Sequence, residues 1–207
     1  TGRLLQSLLD GAEAAGAQTE VHSITRLTVK PCVACDTCHR TGRCAINDDF
    51  QMLWESMTAA DAIVLASPNY IVSVTAQLKA LLDRCCGPLH LSALEGRYAA
   101  AVVTAGGGGC DEVAAYMLSF MTNMGCWSVG SATADAWELV NEELATPRLR
   151  ASRELGAQIV AAVEARQAMP EQETTRNAFR DRMKQLIGAM GEHWPYEYEY
   201  FKSRGWV

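Results

Sequence analysis

Cys32, Cys35, Cys38 and Cys44 fall within thirteen residues of the stretch PCVACDTCHRTGRCAINDD, Pro31 to Asp49, with the spacing C-x2-C-x2-C-x5-C. Each two-residue spacer lets the backbone curl and aim successive sulfurs inward, so four thiolates can wrap one soft metal centre. A tight C-x2-C-x2-C triplet suits three corners of an iron-sulfur cubane. Structural zinc more often takes two separated C-x2-C pairs. The spacing therefore favours iron and sulfide, with zinc and metal-free redox thiols as the alternatives. The longer spacer before Cys44 leaves that residue the freest of the four. His39 is an alternative ligand, and Arg40 and Arg43 either offset thiolate charge or stand solvated.

Cys85, Cys86, Cys110 and Cys126 are scattered through apolar stretches, where a small buried thiol is the default. One dense cluster in a chain of 207 residues reads as a metal site, not a disulfide framework, and so as a protein of a reducing cytoplasm. The length suits one domain with a substantial core. A net charge of -6 without any Lys/Arg run argues against a general nucleic-acid surface. No apolar stretch reaches the roughly 18 residues of a membrane helix, and no signal-peptide pattern is present, although the chain begins at Thr1 without Met.

The elements that position these residues are read along the chain. Leu4, Leu5, Leu8 and Leu9 share one helical face, with Gly16 as the stop. TEVHSI (19–24) alternates as a strand would. After the cysteine loop a helix opens at Asp48–Asp49 and carries Phe50, Met52, Leu53 and Met57 inward. DAIVLAS (61–67) reads as a strand buried on both faces of a parallel sheet, RYAAAVVTAGGGG (97–109) repeats the logic as strand into glycine loop, and CWSVGSATA (126–134) is a last strand. QLKALLDRCC and DEVAAYMLSFMTNMG (111–125) are helices between them, with Met117, Met121 and Met124 in the core. Two long helices come next, near 146–167 and 172–190. The pattern is an α/β domain with helices on both faces of the sheet.

In such sheets ligands sit at the carboxyl ends of strands. Two loops there stand out, Ser67–Ser73 and Thr104–Asp111, each combining turn formers or glycines that let backbone approach a flat ligand. Lys79, Asp83 and Arg84 read as a helix-surface charge set. The aromatic tail, Trp194 to Trp206, reads as a covering segment or a subunit contact.

PCVACDTCHRTGRCAINDD, ASPNYIVSVTAQLKALLDR, VVTAGGGG and WPYEYEYFKSRGW together resemble the iron-sulfur flavoproteins, a group within the NAD(P)H-dependent FMN reductases of flavodoxin-like fold. The resemblance implies a doubly wound three-layer α/β/α sheet with an inserted cysteine loop, residues 1–145 forming the FMN-binding unit. Residues 146–207 are then C-terminal helices and tail, packed on the same domain or a neighbouring subunit. It implies that Cys32, Cys35, Cys38 and Cys44 hold a [4Fe-4S] cluster. Ser67, Pro68, Asn69, Tyr70, Ile71 and Ser73 would line the flavin ring and ribityl chain, and Thr104, Ala105, Gly106, Gly107 and Gly108 the ring's polar edge. The family's first strand and its G-S-P-R-x-x-G-N-T phosphate loop have no counterpart here. Thr1 and Gly2 correspond to the tail of that loop, and the expectation is a fragment whose upstream segment supplies the rest. A homo-oligomer (dimer or tetramer) and a small donor, NAD(P)H or a ferredoxin, are further implications. The rival functions are a flavin-dependent FMN or quinone reductase without a cluster, and a zinc-stabilised binding module.

Overall fold

The computed structural model describes residues 1–207. Three parallel strands, β1 (Ala62–Pro68), β2 (Tyr98–Ala105) and β3 (Trp127–Asp135), lie in that order in one sheet. Strand β2 is central, and every one of its residues is buried. Its side chains alternate between the two faces, as a strand's period of two requires. Ala99, Ala101, Val103 and Ala105 join one core with Ile63 and Leu65, while Ala100 and Val102 join another with Ala132 and Ala134. This is why the strand reads as an unbroken apolar run.

The first core is roofed by α3 (Phe50–Ala59), α4 (Ala76–Arg84) and α6 (Cys110–Asn123). Met117, Met121 and Met124 are fully buried in it. Met52, expected inward, lies instead on the outer side of α3 at 37% exposure, because Phe50, Leu53 and Met57 already define the buried stripe. The second core is covered by α1 (Gly2–Ala14) and α8 (Glu142–Glu164), through Leu4, Leu8, Leu155 and Ile159. Helix α8 runs through position 145 and belongs to this layer.

The alternating segment 19–24 forms no strand. It is irregular and ends in a short 3-10 turn, Ile24–Arg26. Alternation makes a strand only where a neighbour completes its ladder, and the sheet here consists of β1, β2 and β3. Helix α9 (Pro170–Met190) and α10 (Pro195–Ser203) build a smaller core of Phe179, Met183, Ile187 and Phe201 with Leu91. Trp206 packs edge-on against Phe201, so the aromatic tail covers its own chain. No helix is long and apolar enough to cross a membrane.

Helices α1 and α8 touch backbone to backbone. A Cβ at Gly11 would stand 1.9 Å from the Arg153 carbonyl oxygen, and one at Gly156 would stand 2.0 Å from that of Leu8. The buried Ser152 hydroxyl donates to the Leu4 carbonyl at 2.7 Å across the same seam. Gly156→Ala should therefore destabilise by roughly 1–3 kcal/mol through overpacking, read as a lower urea midpoint. Gly188→Ala, where an added Cβ meets nothing within 4 Å, should stabilise by about 0.5–1 kcal/mol.

Candidate functional site

The parallel register sets Pro68 beside Thr104, and Ala105 beside Asp135, so the loops leaving β1 and β2 meet at one edge of the sheet. The Asn69 N–H donates to the Thr104 carbonyl at 2.7 Å, and the Asn69 side-chain amide donates to the Gly108 carbonyl at 3.1 Å. Thr1, capping α1, shares a hydroxyl–hydroxyl contact with Thr104. Three segments far apart in sequence thus converge. Tyr70 and Ser73 exchange backbone hydrogen bonds and close a tight turn. At its tip Ile71 and Val72 adopt left-handed φ angles of 52° and 58°, and Ile71 is 96% exposed.

Two β-branched residues held there cost of order 1–3 kcal/mol each, and such strain gathers at ligand clamps. The side-chain oxygen of Asn69 is buried without a partner. An orphaned acceptor of that kind is free to take a donor from a ligand or from water. Positions 106 and 107 open onto empty space. The set fits a flat, polar-edged cofactor. Ser67 and Ala105 serve it differently from Tyr70 and Ile71. The Ser67 hydroxyl donates to the Pro68 carbonyl and accepts from the Thr75 N–H, and Ala105 has its side chain in the core.

The cysteine loop turns back on itself through Ala34 and Asp36, with φ of 50° and 57°, before the short helix α2 (Thr37–Thr41). All eight cysteines are free; Cys32 and Cys35 are exposed, while Cys38 and Cys44 are half-buried. The Ala34 N–H donates to Cys32 Sγ at 3.4 Å. Thr37 holds the Cys35 thiol below its ordinary range by hydrogen bonding. Arg40 spans the loop to the Cys35 carbonyl at 2.9 Å. A cleft of about 140 Å³ opens between Cys38, Cys44, Trp54 and Pro88.

Arg84 closes this loop. Lys79 and Asp83 do form an exposed surface ion pair, but Arg84 is not part of it: its side chain is fully buried, three residues beyond Leu81 on the inward stripe of α4. Its guanidinium donates to the Lys30 carbonyl at 3.0 Å, the Ile46 carbonyl at 3.1 Å and both oxygens of Asp48 at 2.8 and 3.2 Å. Nε donates to Cys44 Sγ at 3.0 Å. All five N–H groups are engaged. Burial alone would raise the Asp48 carboxyl, but Arg84 and the N–H groups of Lys30 and Phe50 hold it below its ordinary range. One side chain therefore pins both ends of the cysteine loop to the α/β domain and places a donor on Cys44 Sγ.

His39 lies beneath the loop with His90, Glu197 and Cys86. Burial would lower the His39 pKa, but hydrogen bonds with Cys38, Cys86 and Glu197 prevail and raise it to about 12. His90 rises to about 9 against the same burial, through Cys86 and Glu197. The two imidazoles, His39 first, draw the Cys86 thiol down to about 6. Cys86, read from sequence as an inert core thiol, is thus the most acidified cysteine of the chain. The C-x-x-x-H spacing to His90 placed both on one helical face and was the available signal; Glu197, 107 residues further on, had none.

A parallel α/β sheet with a strained loop and a glycine loop at its carboxyl edge has the ligand-binding edge of the doubly wound class. The NADPH-dependent FMN reductase family profile matches residues 1–138, and the chain belongs to that family. An iron-sulfur flavoprotein of Archaeoglobus fulgidus is 30% identical over 99% of this chain and 92% of its own length. An iron-sulfur flavoprotein of Methanosarcina thermophila is 39% identical over 40% of this chain and 43% of its own. Among solved structures, the NAD(P)H:quinone oxidoreductase of Methanothermobacter marburgensis superposes with a TM-score of 0.59. It is 17% identical, over 75% of this chain and 89% of that one, and so shares the fold.

Arg84→Met should cost about 3–5 kcal/mol, because it leaves the Asp48 carboxylate buried without its counter-charge. Denaturant unfolding at neutral pH measures it. Arg84→Lys should recover only part of the loss, since an ammonium cannot reproduce the planar fork.

Proposed function

We propose that this FMN-dependent oxidoreductase passes electrons between FMN at the carboxyl edge of the sheet and a [4Fe-4S] cluster on Cys32, Cys35, Cys38 and Cys44. The observation that carries the reading is the donor set itself. Four free thiols lie on one short loop, and a buried arginine clamps that loop to a flavodoxin-like domain. Thiolate ligation from a compact loop suits iron-sulfur clusters. Around a single zinc ion, ligand sulfurs stand about 3.8 Å apart, and the four sulfurs of the loop are not gathered at that spacing. The open loop favours the larger inorganic centre over the zinc module.

When bound, FMN exchanges electrons singly or in pairs and the cluster exchanges them singly, so their chemistry converts one mode into the other. The protein's residues position and tune. Cys32, Cys35, Cys38 and Cys44 act as ligands, not nucleophiles. Arg84 and the backbone N–H of Ala34 donate to ligand sulfurs, which stabilises negative charge there. Tyr70, Ile71 and Val72 supply an apolar wall for the flavin and exclude water. Asn69, Thr104 and the backbone of Gly106 to Gly108 offer hydrogen bonds to its polar edge, with Thr1 at the phosphate side. The exposed 70–72 tip suits coverage by a second copy, consistent with a homo-oligomer. Free thiols throughout fit the cytoplasm, and a small donor such as NAD(P)H or a ferredoxin completes the scheme.

Anaerobically prepared protein should contain about four iron and four sulfide per chain beside one FMN, measured by iron, sulfide and flavin assays. Cys35→Ser should lose iron with its far-ultraviolet circular dichroism unchanged; unaltered iron content would refute the ligand assignment. Asn69→Ala should weaken FMN about tenfold or more, the worth of one hydrogen bond near 1.4 kcal/mol, as read by flavin fluorescence titration.

A further inference from the structure

The Glu197 side chain is fully buried in α10, and its two oxygens take different imidazoles: Oε1 meets His39 Nδ1 at 2.6 Å and Oε2 meets His90 Nδ1 at 3.0 Å. Both rings are thereby held with their far nitrogens toward Cys86, whose Sγ lies 3.9 Å from His39 Nε2 and 3.8 Å from His90 Nε2. The rings stack with centroids 4.9 Å apart, and Trp194 covers His39 at 4.3 Å. His39 is 5% exposed. Three elements, α2, α5 (Cys86–His90) and α10, contribute one or two groups each.

The distances separate two kinds of contact. Two nitrogen or oxygen ligands on one tetrahedral ion stand about 3.3 Å apart, and a sulfur and a nitrogen about 3.5 Å. The Glu197 contacts are shorter than the first figure and are hydrogen bonds. The Cys86 contacts are a few tenths of an ångström longer than the second and at the far limit for a hydrogen bond. A carboxylate that receives N–H from the outer nitrogen of a ligating histidine is the usual second layer of a metal site, fixing tautomer and ring orientation.

We propose that Cys86, His39 and His90 form a mononuclear site for a borderline-soft divalent ion of the zinc class, through Cys86 Sγ and the two Nε2 atoms, with Glu197 as the positioning carboxylate. Cys86 binds as thiolate; each imidazole releases its Nε2 proton to solvent as the ion binds and keeps its Nδ1–H on Glu197. The ion lies below the cysteine loop and ties α2, at the loop's centre, to α5 and the C-terminal α10. It is distinct from the cluster on Cys32, Cys35, Cys38 and Cys44 and does not rest on that reading.

The test uses the full chain, prepared anaerobically with its iron retained, incubated with zinc ion alone and desalted. One zinc per chain is expected, with one sulfur and two nitrogens in its first shell by zinc K-edge X-ray absorption. Cys86→Ser and His90→Gln should each reduce retained zinc at least tenfold, while Cys35→Ser loses iron and keeps zinc. Glu197→Gln should weaken zinc 10–100-fold with the same first shell. No retained zinc, retention unaffected by Cys86→Ser, or an all-sulfur shell would overturn the proposal. Missing iron alongside a one-sulfur, two-nitrogen zinc would refute the cluster and leave this site standing.

Discussion

A guanidinium with no access to water holds this molecule's chemistry together. Arg84 leaves a core helix and commits all its donors to the two ends of a loop that otherwise has little apolar surface to bury. The loop carries four thiols and several charges, so hydrophobic burial cannot anchor it. A buried cation tolerates that position only because Asp48 neutralises it and backbone carbonyls fill its fork. The same geometry puts one donor on Cys44, so the side chain that anchors the loop also reaches one of its sulfurs. The Phe50 ring beneath the guanidinium, 4.6 Å from it, completes the enclosure.

The opposite constraint operates at the sheet edge. There β2 lies fully buried between its two parallel neighbours, and the backbone strain gathers in the loop that leaves β1. Strain at Ile71 and Val72, and the unpaired side-chain oxygen of Asn69, persist because the parallel ladder from Ala62 to Thr104 overdetermines the loop's ends. Paired parallel strands thus carry a surface suited to close approach by a planar cofactor, as expected of an FMN reductase relative.

The imidazoles of His39 and His90, the carboxylate of Glu197 and the thiol of Cys86 fasten the loop's central helix to the C-terminal tail. Trp194 caps that node and Phe201 and Trp206 continue the packing. The tail is therefore not an appendage: its glutamate is among the most buried charges in the chain.

Much was legible without coordinates. The cysteine spacing, the three apolar strands and the glycine loop obey local rules of period and composition, and each element lies where those rules put it. Segment 19–24 did not form a strand, because alternation is a local property and pairing is not. Met52 and Arg84 exchanged expectations for a similar reason: periodicity marks a stripe, but which residue on its margin is buried depends on what packs against it. The meeting of Cys86 and His90 with His39 and Glu197 lay beyond any sequence rule. Chemistry that belongs to one loop is written in residue spacing; chemistry assembled from distant helices exists only once the core has set their separation, since contacts across 158 residues leave no local period to read.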